Sequence, residues 1–408
     1  MKKHVAWAVT VATAATCALG TVAPAVAADA DPAASVTATA ATPGGIDTSK
    51  LDPKLRAMVD AFIAKLPAGW QDRLQTTYEK TGADHTLWTQ IRNAGIDPNA
   101  YQCQSTQFRE VVGKLYTGVN NYFGFAVLQA LGLLDLPLYE ALYFGTESKA
   151  NTFGLNGEYT QETTSTMKDL KSFWDIKSSD IQLVPMKNDI FSSPERAGRV
   201  IALLFGVSDE VATEFAAAFY PEYFKMEPFL KNGMNPLLSL NAFAYTEEGD
   251  PNPLGVSDRI VMGDGILEVM KEIGLDGVAP KAIMAHEFGH HVQFEDHLFT
   301  NTTLTGSEAT RRTELMADAF GTYYLTHSRG EALNTKRLLD SEKNFYQIGD
   351  CSFLDPGHHG TPNQRLAASA WGASVANDAV NQGHVLPSLT FADKFDVKLP
   401  ELVKPDAV

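Results

Sequence analysis

The sequence predicts an α+β fold that is predominantly helical, with one small β-sheet, and three observations predict it. Through most of residues 51–235 apolar side chains recur every three or four positions, as they do on one face of a helix. Two short runs, 238–246 and 259–262, read instead as strands, with the turn-rich stretch 247–255 between them. Helical periodicity returns at about 265 and persists to about 377. The expected organisation is a helical N-terminal region over 51–235, a mixed domain over 236–385 and a C-terminal tail over 386–408 with little periodicity.

Ahead of these lie two segments of another kind. Lys2 and Lys3, an apolar run over 5–19, and Ala25-Val26-Ala27 before Ala28 have the three parts of a secretory signal peptide, 1–27, so the product is expected to be secreted. Residues 28–50 are Ala, Thr, Asp, Pro and Gly with few large apolar side chains, which predicts a disordered linker. The chain has 33 basic and 49 acidic residues; without Lys2 and Lys3 there are 31 against 49, a formal charge of −18. That balance excludes nucleic acid as a partner. Beyond Cys17 there are two cysteines, Cys103 and Cys351, and in an oxidising compartment an isolated pair predicts one disulfide. The alternative, Cys103 capping a metal in a latent form, would leave Cys351 odd.

In the N-terminal region helices are expected at 55–66, 105–116, 118–134, 164–174, 194–205 and 209–219. Ser193 before Pro194, and Ser208 before Asp209-Glu210, have the chemistry of N-caps. The run 122–144 is apolar, but Gln129, Asp135, Pro137 and Glu140 interrupt it, so a buried helical hairpin is expected and no stable membrane insertion. Further on, helices are expected at 265–273, 305–327 with a Thr305/Glu308 capping box, 332–348, and from Thr361-Pro362-Asn363-Gln364 to about 377.

The chemistry is concentrated in residues 281–300, which contain His286-Glu287-Phe288-Gly289-His290. Residues four apart share a helix face, so His286 and His290 can direct imidazole nitrogens at one metal ion, for which zinc is the natural candidate. Glu287 stands about 100° further round, badly placed as a ligand but able to take a proton from an attacking water. Met284, Phe288 and Val292 give this helix a separate buried stripe and leave His286, His290 and Gln293 on another face. Gly289 costs roughly 1 kcal/mol against Ala inside a helix, which predicts a close neighbour there.

A hydrolytic zinc site wants three protein ligands and one open position. The chain does not resemble the metzincins, whose third ligand is a histidine six residues beyond the second: here that position holds Asp296. The better candidates are Glu314 and Asp318, one helical turn apart in an otherwise apolar stretch that also contains Gly321. One carboxylate can bind the metal while the other accepts the free ring N–H of a ligating histidine and fixes its tautomer.

Taken together, His286 to His290 followed by Glu314-x-x-x-Asp318 resembles the zinc site of the gluzincin metallopeptidases. Leu240-Asn241-Ala242-Phe243-Ala244, Arg259-Ile260-Val261-Met262 and Gly265-Ile266-Leu267-Glu268 are similar to the edge strand, second strand and helix of the branch containing the CAAX prenyl protease and its bacterial heat-shock relatives. His359-Gly360-Thr361-Pro362-Asn363-Gln364-Arg365 resembles the His-Gly-x-x-x-Gln-Arg segment of the bacterial putative neutral zinc metallopeptidases. The resemblance implies a zincin-like domain holding one Zn2+ on His286, His290 and Glu314, with Asp318 behind them and Glu287 as general base. It also implies His359 as the group that stabilises the oxyanion, a role for which Tyr323 and Tyr324 are the next candidates, and a peptide or protein substrate laid along Asn241, Ala242, Phe243 and Ala244. The competing expectation is a zinc-stabilised binding or adhesion protein without turnover.

Overall fold

The computed structural model describes residues 10–11, 47–81, 101–248, 253, 255–351, 358–378 and 383–406. Apart from 10–11, the expected signal peptide lies outside these residues, as does the expected linker up to 46; residues 47–50 form a 3-10 turn in which the Thr48 hydroxyl donates to Asp60 at 2.7 Å. The fold is predominantly helical α+β.

The chain opens with β1 (Thr10–Val11), then α1 (Pro53–Ile63), α2 (Trp70–Thr81), α3 (Gln107–Leu115), α4 (Tyr122–Ala130), α5 (Leu136–Phe144) and α6 (Thr160–Phe173). Strand β2 (Gln182–Met186) follows, then α7 (Pro194–Phe205) and α8 (Asp209–Met226). The second half runs β3 (Ala242–Tyr245), β4 (Arg259–Gly263), α9 (Asp264–Glu272), α10 (Ala279–Glu295), α11 (Gly306–Thr326), α12 (Thr335–Ile348), α13 (Pro362–Asn377) and α14 (Ser388–Leu402).

Local chemistry explains most of these bounds. Ser193 and Ser208 cap α7 and α8 through Arg196 N and Val211 N, and Thr361 with Gln364 makes the reciprocal capping box of α13. Helix α4 begins four residues later than the periodicity suggests, because Glu227 binds the N–H groups of Asn120 and Asn121 at 2.9 and 2.8 Å and Asn121 then caps Gly124 N. The hairpin expected over 122–144 is α4 and α5. The capping box expected at Thr305 does not form: Gly306 turns into α11 at φ +57° and the Thr305 side chain caps nothing. Residues 238–246 are a strand only from Ala242, since Pro236–Ser239 is a 3-10 turn.

Of the elements that the pattern does not predict, which include α2, two shape the second half of the chain. Gln182–Met186 is a strand within the helical half, parallel to β4, with Pro185 opposite Met262. The sheet order is β1-β3-β4-β2, so this proline sits on an outer strand where its missing N–H breaks no inner ladder. The aperiodic tail contains α14, ordered by burying Phe391 among Trp174, Phe320, Tyr323 and Trp371 and by an Arg312–Asp396 pair at 2.7 Å.

One core gathers α3, α6 and α9 around α10, α11 and α13; a second fills the space among α1, α2, α4, α5, α7 and α8. The sheet lies between them, with Val184, Met186, Phe243, Tyr245 and Val261 meeting Ala141 and Leu142 of α5. Cys103 and Cys351 are joined, Cα to Cα 5.7 Å, which fastens the start of α3 to the end of α12. Among the described residues no helix is long and apolar enough to cross a membrane.

Candidate metal centre

Helices α10 and α11 meet at glycines. A methyl group on Gly289 would stand 3.1 Å from Cα and O of Ala317, and one on Gly321 would stand 3.1 Å from the backbone N of His286. The close neighbours expected from both glycines are therefore each other's helices, and the approach sets the α11 carboxylates directly against the α10 imidazoles.

Nε2 of His286 and Nε2 of His290 lie 3.1 Å apart, and the two oxygens of Glu314 stand 3.4 Å from them, Oε2 from His286 and Oε1 from His290. One ligand atom from each of the three residues falls within 4.8 Å of the others, and each residue is at most 1 % exposed. Asp318 is one turn further along, its Oδ1 2.8 Å from Nδ1 of His286, which directs that ring's Nε2 to the common point. Gln293 does the same for His290: Oε1 is 3.0 Å from Nδ1, and its amide donates to Thr313 O at 2.7 Å. Arg365, from α13, donates to both oxygens of Asp318 at 2.8 and 2.7 Å and approaches Glu314 to 3.6 Å.

The arrangement gathers ligand atoms at one point, with the Arg365 guanidinium 3.6 Å from Glu314. Two imidazole nitrogens face one another, and neither oxygen of Glu314 receives a hydrogen bond although the residue is fully buried. Burial opposes ionisation of Glu314, but His359, His290 and His286 overcome it and hold the carboxyl well below the usual carboxylate range. Unpaired acceptors facing one another in a dry site are costly, and a cation among them removes that cost. His286, His290 and Glu314 are thus a set that can hold a metal ion.

Glu287 points elsewhere, as a neighbour on the helix must. Neither of its oxygens has a donor at full hydrogen-bonding geometry, although the Ala244 main chain is near enough to act on it. Burial pushes its carboxyl up to about 8, with His286 opposing and Glu314 adding to the shift, and the Ala244 main chain draws it down. That last contact places the general-base candidate at β3. Asn241 O accepts from Gly263 N of β4 at 2.9 Å, so by alternation Ala242 and Ala244 turn their N–H and C=O groups to the other edge. There β1 runs antiparallel, Thr10 beside Phe243 and Val11 beside Ala242.

His359 reaches the same region; Asp350 accepts from its main-chain N–H at 2.7 Å and lies 3.2 Å from its Nδ1. The hydroxyls of Tyr323 and Tyr324, the next candidates for the oxyanion donor, are engaged elsewhere: the first accepts from Leu386 N at 3.0 Å and the second donates to Glu331 at 3.2 Å. Three participants went unassigned in the sequence. Gln293 shows on the histidine face of the helix, and Arg365 ends the His-Gly segment, so each had a signal; Asp350 has none beyond adjacency to Cys351. Comparison of the chain with protein-family models, curated proteins and solved structures gives no match.

Proposed function

We propose that this protein is a secreted zinc-dependent metallopeptidase of the gluzincin kind, with His286, His290 and Glu314 as ligands and Glu287 as general base. The observation that carries the reading is the convergence of three buried ligand groups beside an unpaired carboxylate that touches the outer edge of a strand. Zinc in a site of three protein ligands supplies a Lewis acid that polarises a carbonyl and makes a water acidic near pH 7. The protein's own residues do the rest. Glu287, buried beside the ligands, is the group that takes the proton of the attacking water and passes it to the leaving amine. Asp318 and Gln293 hold the two imidazoles in one tautomer, and Arg365 balances the charge of Asp318. In this reading His359 donates to the oxygen that becomes negative.

A peptide substrate must lie extended across this site. The outer edge of β3 already carries an antiparallel strand of this chain at Ala242 and Phe243, which supports binding of substrate by strand addition. Secretion is supported by the Cys103–Cys351 bridge and by the pattern of residues 1–27. The test is zinc analysis with hydrolysis of fluorescein-labelled casein by wild type and Glu287→Gln. The expected result is one zinc per chain in both and cleavage only by wild type; a zinc-replete wild type that leaves casein intact would overturn it. One observation favours the second reading, a zinc-stabilised binding protein: the ligands are enclosed, with Phe345 5.9 Å from the His286 ring and Phe299 6.4 Å from His290. Zinc without cleavage is the outcome it predicts.

A further inference from the structure

The carboxylate of Asp350 sits in a buried knot beside the metal ligands. Oδ1 meets Nδ1 of His358 at 2.6 Å, and Oδ2 takes the main-chain N–H of His359 at 2.7 Å and stands 3.2 Å from Nδ1 of the same residue. Asp350 is 2 % exposed and His359 4 %. Its neighbour Gly360, at φ +99°, packs onto Leu315, the residue after Glu314; a methyl there would lie 3.1 Å from Leu315 Cδ2. With Nδ1 engaged by a carboxylate, the ring's other nitrogen, Nε2, is directed away from Asp350 and is free of tautomeric choice.

Asp350 is fastened from the opposite half of the chain. Its N–H donates to Gly360 O at 3.0 Å, and Cys103 Sγ lies 3.4 Å from its carbonyl oxygen. Cys351, next in sequence, is bonded to Cys103. Thr106 donates to Gln347 O at 2.7 Å, Phe108 N to Gln347 Oε1 at 3.0 Å, and Arg109 to Gly349 O at 3.3 Å. The segment 103–109 therefore clamps 347–351, and that clamp has no part in holding metal.

We propose that Asp350 is a positioning residue, which holds His359 with Nε2 presented beside Glu314, and that the Cys103–Cys351 bridge keeps Asp350 in place. This rests on the peptidase reading above. A carboxylate on Nδ1 keeps the proton there and tolerates positive charge on the ring, so Nε2–H can donate where the substrate oxygen gains negative charge. None of these hydrogen bonds around Asp350 is made by His286, His290 or Glu314.

The test uses the full-length secreted protein: wild type, Asp350→Asn, Asp350→Ala, His359→Ala, the Asp350→Ala/His359→Ala double variant and Cys103→Ser/Cys351→Ser. Zinc content and kcat and KM on fluorescein-casein are measured for each. Asp350→Asn keeps the volume and secures a folded comparison. The expected result is one zinc per chain throughout, unchanged KM, and kcat lower by about 10- to 100-fold in Asp350→Asn, with a smaller fall of about 10-fold without the bridge. The double variant should be no slower than His359→Ala alone. Wild-type kcat in Asp350→Asn, losses that multiply in the double variant, or zinc lost from Asp350→Asn would each overturn the proposal. A zinc-replete wild type that does not cleave casein would instead overturn the peptidase reading, and this proposal with it.

Discussion

At the scale of the residue, the site assigns distinct losses to distinct side chains. Glu314→Ala removes a ligand, so it should lose zinc; Glu287→Gln keeps every ligand, so it should retain zinc and lose turnover, as metal analysis beside casein hydrolysis will show. Asp318→Asn leaves the ligands in place but weakens the bond that orients His286 and frees one side of Arg365, and a fall of about 10- to 100-fold in zinc affinity is expected by competition with a chelator. Asp258 supplies a pH effect away from the metal. Burial, with Asp180 and Glu248 adding to it, pushes its carboxyl up to about 6, and its neighbour His291, 3.7 Å away, is held neutral by burial. The folded chain thus binds this proton more tightly than the unfolded chain. The resulting penalty is absent below about pH 4, grows as pH rises through the window from 4 to 6, and is complete above it. Asp258→Asn should therefore stabilise the protein by about 1–3 kcal/mol at pH 7.5 and not at pH 4, read from urea unfolding at the two pH values.

At the scale of the element, two features are open to substitution. The α10–α11 crossing depends on Gly289 and Gly321, whose neighbours are backbone and cannot swing aside. Gly321→Val should push His286 from Glu314, costing about 1–3 kcal/mol of stability and most of the zinc affinity, measured by thermal unfolding and metal titration. In β3 the alternation of main-chain groups separates two proline substitutions. Ala242→Pro removes an N–H from the outer edge and should raise KM for peptides while zinc content stays at one per chain. Phe243→Pro removes an N–H directed at β4 and should unfold the sheet. Equal KM for wild type and a folded Ala242→Pro would exclude substrate binding by strand addition.

At the scale of the whole molecule, the N-terminal half is part of the structure that supports the site. It contributes β2 to the sheet, Trp174 to the packing around α11 and α14, and Cys103 to the bridge. The cross-link spans 248 residues, and loop-closure arguments put its stabilisation at about 4–5 kcal/mol, often less in practice. Thiol labelling of the denatured, unreduced protein should find no free cysteine once residues 1–27 are removed, and Cys103→Ser/Cys351→Ser should unfold at a distinctly lower urea concentration. Two labelled thiols would exclude the bridge.

The convergence of His286, His290 and Glu314 was legible in the sequence because each part rests on local geometry. Four-residue spacing aligns His286 with His290 and Glu314 with Asp318 on any helix, and the interruption of apolar periodicity by polar residues and glycines marks those faces as special. The capping box at Thr361 and the pairing of the last two cysteines were legible for the same reason: few residues, near in sequence or few in number, leave little choice. What only the tertiary structure decided are contacts between segments far apart in the chain. Pro185 concealed a strand that is stable only because β4 supplies its partner, and the tail around Phe391 is helical because α11, α13 and Trp174 bury it. Asp350 carries no local signature at all. The role proposed for it follows from a chain path that brings Cys103 to Cys351 and Gly360 to Leu315, and side-chain periodicity holds no information about which distant faces meet, because that choice belongs to the packing of the whole core.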